Sequence, residues 1–235
     1  GPLLLGHRRL SVIDLSDRSN QPMVDPDLGL ALVFNGAIYN YRDLRRELLA
    51  KGYRFFSEGD TEVILKAYAE WGERCVERLI GMFAFAIWNL RERSLFLARD
   101  RLGIKPLYYA RTPQAFRFAS NSQALLAAGD IDTAIDPAAL HQQLTLHAVI
   151  PAPRTILQGI RKLAPATTLT LDASGNERSR VYWRLRALRP AETRTEVEWT
   201  EAVHAALRLA VRRRLDIADV PVGVLLSGGL DSSLL

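Results

Sequence analysis

From residue 29 to residue 182, short apolar runs alternate with turns, and in two stretches between them the apolar spacing becomes helical. LGLALVFNGAIYN reads as two strands joined at Asn35-Gly36, because Asn-Gly between apolar runs is the strongest short hairpin signal. GMFAFAIWNLRERSLFLARD reads as a second hairpin turning over residues 89–93, and further strands are expected at 106–109, 116–119 and 167–171. Helices are expected over 41–51, with Leu44 and Leu48 on one face, and over 60–71, with Val63, Ile64, Ala67 and Tyr68 together. Asp60 is placed to cap the second helix. Hairpins with a few helices make an α+β class, in which packed antiparallel sheets are flanked by helices.

The pattern changes after this region. Residues 1–185 form one expected domain, and a charged stretch containing Pro190, residues 186–199, reads as a linker. Residues 200–235 then open a second domain: Thr200 caps a helix through Leu215 with Val203, Ala206, Leu207, Ala210 and Val211 on one face. A buried strand, VGVLL, is expected after Pro221, and the chain stops in SGGLDSSLL.

Composition narrows the classes little but excludes some. With 48% hydrophobic and 24% charged residues the chain has ample material for a core. No apolar run suits a membrane span or a secretory signal, so a cytoplasmic location without a membrane partner is expected. One cysteine, Cys75, excludes an internal disulfide or a cysteine metal cluster. The net charge of +5 includes a basic run, VRRRL at 211–215. Without interleaved aromatics it reads as a solvated helix face rather than a nucleic-acid site.

The candidate chemistry lies in two places. SGGLDSS, residues 227–233, follows a strand and opens a helix, so its glycines admit close approach of phosphate and its hydroxyls add donors. No lysine follows the glycines, so it is not a Walker loop. It resembles the pyrophosphate loop of the ATP pyrophosphatases. Upstream, GHRRLSVIDLS, QPM, FNGAIYNY, GDTEVIL, GMFAFAIW, ARDRLGIKPLYY and FAS occur in the order of class II glutamine amidotransferases. Together the two resemble the glutamine-hydrolysing asparagine synthetase family.

That resemblance implies a four-layer α/β/β/α N-terminal-nucleophile domain followed by the beginning of an α/β synthetase domain. It also implies glutamine hydrolysis in the first domain and ATP-dependent amidation of a carboxylate, through an acyl-adenylate, in the second. Arg9 would hold the glutamine α-carboxylate, with Leu10, Ser11, Val12 and Ile13 lining the pocket. Asn35 and Gly36 would form the oxyanion hole, and Asp60 would take the α-ammonium beside Ala37. ATP would meet Leu225, Ser227, Gly228, Gly229, Leu230, Asp231, Ser232 and Ser233, with Asp231 orienting Mg²⁺. The implied partners are glutamine, ATP and aspartate or another carboxylate, with no nucleic acid; a homodimer is the association considered.

The sequence departs from the family in several places. The family begins with a cysteine nucleophile, whereas this sequence begins with Gly1-Pro2, so the resemblance implies some tens of residues before Leu3. Cys75 lies in a helical context and is expected to be structural. Ala37 stands where a glutamate is common, and Asn121 where an acid is common. With HAVIPAPRTI and KLAPAT, these resemble a subgroup that amidates the dipeptide N-acetylglutaminylglutamine. A reading of another class is a catalytically silent glutamine-binding module.

Overall fold

The computed structural model describes residues 3–189 and 193–234; Gly1, Pro2 and the linker's Pro190 lie outside them. The strands are β1 (Met23–Asp25), β2 (Leu30–Ile38), β3 (Gly81–Asn89), β4 (Ser94–Arg99), β5 (Tyr108–Arg111), β6 (Phe116–Ala119), β7 (Arg161–Lys162), β8 (Thr167–Leu171) and β9 (Glu177–Val181). The helices are α1 (Tyr41–Ala50), α2 (Asp60–Trp71), α3 (Cys75–Arg78), α4 (Ser122–Leu126), α5 (Pro137–Thr145), α6 (Glu196–Leu215) and α7 (Leu230–Leu234). One antiparallel sheet runs β1-β2-β3-β4-β8-β9, and a smaller one runs β6-β5-β7.

Strand alternation builds the layers. Along β3, Phe83, Phe85 and Ile87 enter one core with Leu44 and Leu48 of α1 and Val63, Ile64 and Ala67 of α2. The intervening Ala84 and Ala86 enter a second core with Leu95 and Leu97 of β4, against Tyr109, Phe116 and Phe118 of the small sheet. Ala110 and Ile160 meet Leu125 of α4 on the outer side of that sheet. The result is helix, sheet, sheet, helix, with β2, β3 and β4 of the large sheet buried on both faces and β9 exposed. Burying Phe83, Phe85 and Phe96 contributes about 1.5–3 kcal/mol each.

Several expectations need correction. Asn35-Gly36 is not a turn: both residues lie inside β2, which pairs with β3 from Leu30↔Asn89 to Ile38↔Gly81. Gly36 is required by close approach, since a Cβ there would stand 2.1 Å from the Met82 carbonyl oxygen. Asp60 is the first residue of α2 rather than its cap; Gly59 is the cap, and the Asp60 carboxylate reaches across to β2. The strand expected at 106–109 forms two residues later, as β5.

The helix after the linker starts at Glu196, not after Thr200. Thr195 caps it through a reciprocal capping box with Glu198, while Thr200 Oγ1 donates to the Glu196 carbonyl inside the helix. Its expected apolar face stays largely open, with Val203 55% exposed, because only the C-terminal end of α6 meets the domain. VGVLL forms no strand among the described residues, and Leu225 is 97% exposed. A parallel strand needs neighbours for its backbone hydrogen bonds, and none stands beside it.

Candidate functional site

The site is built on the edge of β2 where β1 ends. In the antiparallel ladder alternate residues bond to opposite neighbours. Gly29 and Tyr39 face β3, through Leu90 N–H to Gly29 O and Tyr39 N–H to Ile80 O. Phe34, Gly36 and Ile38 therefore face the other edge, and β1 pairs with β2 only as far as Leu32. Side chains take over beyond that point. Phe34 N–H donates to Gln21 Oε1 at 2.6 Å, the Phe34 carbonyl accepts from His7 Nε2 at 2.9 Å, and Ile38 N–H donates to Asp60 Oδ2 at 2.9 Å. The N–H of Gly36 lies between these pinned positions on the same edge, and no acceptor is bonded to it among the described residues.

Asp60 stands at this edge, and the Arg9 guanidinium is near enough for its charge to act on it. Asp60 is 5% exposed, and burial pushes its carboxyl up to about 6, against the opposing pull of Ile38 N–H and the Arg9 guanidinium. Arg9 is half-buried, and its Nη2 donates to the carbonyls of Ile13, at 2.5 Å, and Asp14. The fork is thereby oriented while other donors stay available. Burial lowers the pKa of His7 against its bond to Phe34, and the Arg9 charge adds to the lowering.

The other predicted residues separate by position. Leu10 (88% exposed) and Ser11 stand open, Val12 is half-buried, and Ile13 belongs to the main core. Ala37 is buried opposite Met82, and half-buried Asn35 pairs with Ala84 with no hydrogen bond from its side chain among the described residues. Asn121, which stands where the family commonly has an acid, caps α4 by accepting from Ala124 N–H at 2.8 Å. Cys75 is fully buried, and burial pushes its thiol above the ordinary range, so it is no nucleophile.

The residues 227–233 are exposed or nearly so and fold back on Gly229. Its N–H donates to Ser227 Oγ, and the Ser232 and Ser233 hydroxyls donate to its carbonyl at 3.1 and 2.8 Å. Gly228 takes a φ of +78°, which a glycine adopts without strain. Leu225 and Leu230 are exposed, and Asp231 is an exposed first-turn residue of α7. No group of three potential metal ligands occurs among the described residues. A lone carboxylate still suits Mg²⁺ that draws its other oxygens from phosphates and water.

Residues 1–183 match the family model for a glutamine amidotransferase domain, and residues 202–235 match the model for asparagine synthase. The chain belongs to the glutamine amidotransferase domain family. It is 39% identical over 98% of its length to asparagine synthetase [glutamine-hydrolyzing] 3 of Bacillus subtilis, covering 37% of that protein. To asparagine synthetase [glutamine-hydrolyzing] 1 of the same organism it is 38% identical over 98% of its length, covering 35%. The chain therefore spans about a third of these relatives. A structural likeness to glutamine phosphoribosylpyrophosphate amidotransferase from B. subtilis, with TM-score 0.52 at 20% identity, covers 75% of this chain and 34% of that one, and supports the fold.

Within this amidotransferase domain the sequence reading missed the supports of the site. Asp14 was unassigned, yet its carboxylate accepts from Ser16 N–H, Ser19 Oγ and Glu58 N–H. Burial pushes its pKa up, but these bonds outweigh burial and hold the carboxyl well below the ordinary range. The Asp-x-Ser spacing was the available signal, since Asp bonds its own backbone two residues on. Gln21 stood in the QPM motif without a stated task, and nothing local marks it as the partner of Phe34.

Proposed function

We propose that the chain is the glutamine-hydrolysing part, with the entry to the ATP site, of an enzyme that amidates a carboxylate in the cytoplasm. The observation carrying this reading is the buried Asp60 carboxylate held on Ile38 N–H, two residues from Gly36 on the same strand edge, in a chain whose two segments match the two family models in tandem. Arg9 binds the α-carboxylate of glutamine and Asp60 its α-ammonium, so both charged ends of a free amino acid are read. The Asn35 amide and the Gly36 N–H receive the oxygen of the tetrahedral intermediate. Cys75, buried and with its thiol pKa raised by burial, is not the attacking thiol.

In the second half, ATP lies on Leu225, Ser227, Gly228, Gly229, Leu230, Ser232 and Ser233. Asp231 holds Mg²⁺, which when bound offsets the repulsion between this carboxylate and the phosphates. The acceptor is proposed as aspartate, since the relatives are named asparagine synthetases.

The test uses the whole protein containing this chain and measures glutamine hydrolysis and ammonia-supported, aspartate-dependent pyrophosphate release side by side. Asn35→Ala should cut hydrolysis by about a hundredfold or more and leave the ammonia reaction intact, the scale of one lost oxyanion donor. Asp231→Asn should do the reverse. Loss of both activities in either variant would show a folding defect instead of divided labour.

A further inference from the structure

The segment between α6 and the SGGLDSS loop is seated on the Arg9 loop. Ile217 is buried in the main core, the Asp216 carbonyl accepts from Arg42 at 2.7 Å, and the Arg214 guanidinium stacks 4.7 Å from the Tyr39 ring centre. Asp219 makes the closest connection. Its N–H donates to the Val12 carbonyl at 2.9 Å, and its Oδ2 accepts from Asp14 N–H at 2.7 Å. It thus grips the backbone on both sides of Ile13. The carbonyls of Ile13 and Asp14 accept from Arg9 Nη2, and the Ser16 carbonyl accepts from its Nη1 at the longer distance of 3.4 Å. Asp14 also has a φ of +49°, a conformation that a non-glycine residue keeps only where its surroundings over-determine it.

We infer that Asp219 is a positioning residue for glutamine: by fixing Val12 and Asp14 it aims Arg9 at the α-carboxylate and ties the glutamine pocket to the approach to the ATP loop. This rests on the proposed task of Arg9. Coupling is reciprocal for binding, so a shift of residues 214–219 that loosens glutamine must itself be opposed by bound glutamine. Arg42 contributes less, since it meets Asp219 only at 3.9 Å on an exposed surface.

The experiment compares Asp219→Ala, Asp219→Asn and Arg9→Ala in the whole protein. Asp219→Ala should raise the KM for glutamine about tenfold, the effect of a lost hydrogen bond to a charged group, while kcat of hydrolysis and ammonia-supported synthesis stay within about threefold. Asp219→Asn keeps an acceptor for Asp14 N–H and should restore most of the affinity. Amide exchange at Asp14 should quicken in the alanine variant whether or not glutamine is present. An unchanged KM, or equal loss of hydrolysis and ammonia-supported synthesis, would overturn the inference. If Asp219→Ala does not fold, Asp219→Ser, too short to reach Asp14, makes the same comparison. An Arg9→Ala enzyme with normal KM would overturn the pocket reading instead, and faster Asp14 exchange would still report the clamp.

Discussion

Replacing Asp60 by asparagine should make the ligand-free protein more stable while weakening its hold on glutamine. The carboxyl is 5% exposed and titrates near 6, against an ordinary value of 3.8. Because the folded pKa is raised, folding favours the protonated form: stability falls as pH rises from about 4 through 6, and the cost is complete above 6. Roughly two units at about 1.4 kcal/mol each give a cost on the order of 3 kcal/mol at pH 8. Asparagine carries no charge and retains an oxygen for Ile38 N–H, whose bond to Asp60 is 2.9 Å long. Urea unfolding followed by tryptophan fluorescence should therefore show a gain for Asp60→Asn of up to about 3 kcal/mol at pH 8, shrinking toward pH 4. In the whole protein the same variant should raise the KM for glutamine at least tenfold, and the wild-type KM should climb as pH falls below 6. Equal stability of the two proteins at pH 8, or the same difference at both pH values, would refute the reasoning.

Three further outcomes are expected. Gly36→Ala places a methyl 2.1 Å from Met82 O and 2.8 Å from the Phe34 ring, so β2 must move off β3; the midpoint of urea unfolding should drop by an amount equivalent to about 2–4 kcal/mol. Cys75 should resist iodoacetamide in the native chain and react at once in urea, and the 235-residue chain alone should release no ammonia from glutamine; native labelling would contradict the burial of this thiol.

The central strands and the two long helices of the first domain were legible because their periods are strict, whereas β1, β7 and β9 went unread, being short or, in β9, polar on both faces. Phe83, Phe85 and Ile87 alternate with Ala84 and Ala86, and each set has its own core. The error at Asn35-Gly36 was physical: a glycine demanded by the close approach of β3 looks, in one dimension, like a glycine demanded by a turn. The start of α6 was readable and misread, since Thr195 and Glu198 spell a capping box one turn before Thr200. The polar support of α2 was not readable. Glu62 is fully buried to accept from Ser57 N–H and Oγ, Lys66 bonds Asp25, and the same residues would suit an exposed helix face equally well. The joint assignment of Arg9 and Asp60 came from resemblance to a family; no spacing rule joins a loop residue to the first residue of a helix so far along the chain.

Why the site should sit at this edge follows from the hydrogen-bond arithmetic of β2. A continuing strand beyond Leu32 would have satisfied Phe34, Gly36 and Ile38 alike and left no donor for a ligand. Instead His7 and Gln21 hold Phe34, and Asp60 holds Ile38, so the backbone is fixed on both sides of Gly36 by side chains that stop short of it. A donor held this way is preorganised, because its neighbours need not move when charge develops on a bound oxygen. The same economy explains why the Asp60 carboxyl tolerates burial. It completes the strand edge in the absence of substrate, and the nearby Arg9 charge keeps it from rising further above 6. A cationic amino group arriving beside it would lower that value, so the ligand recovers part of the free energy that burial of the acid costs.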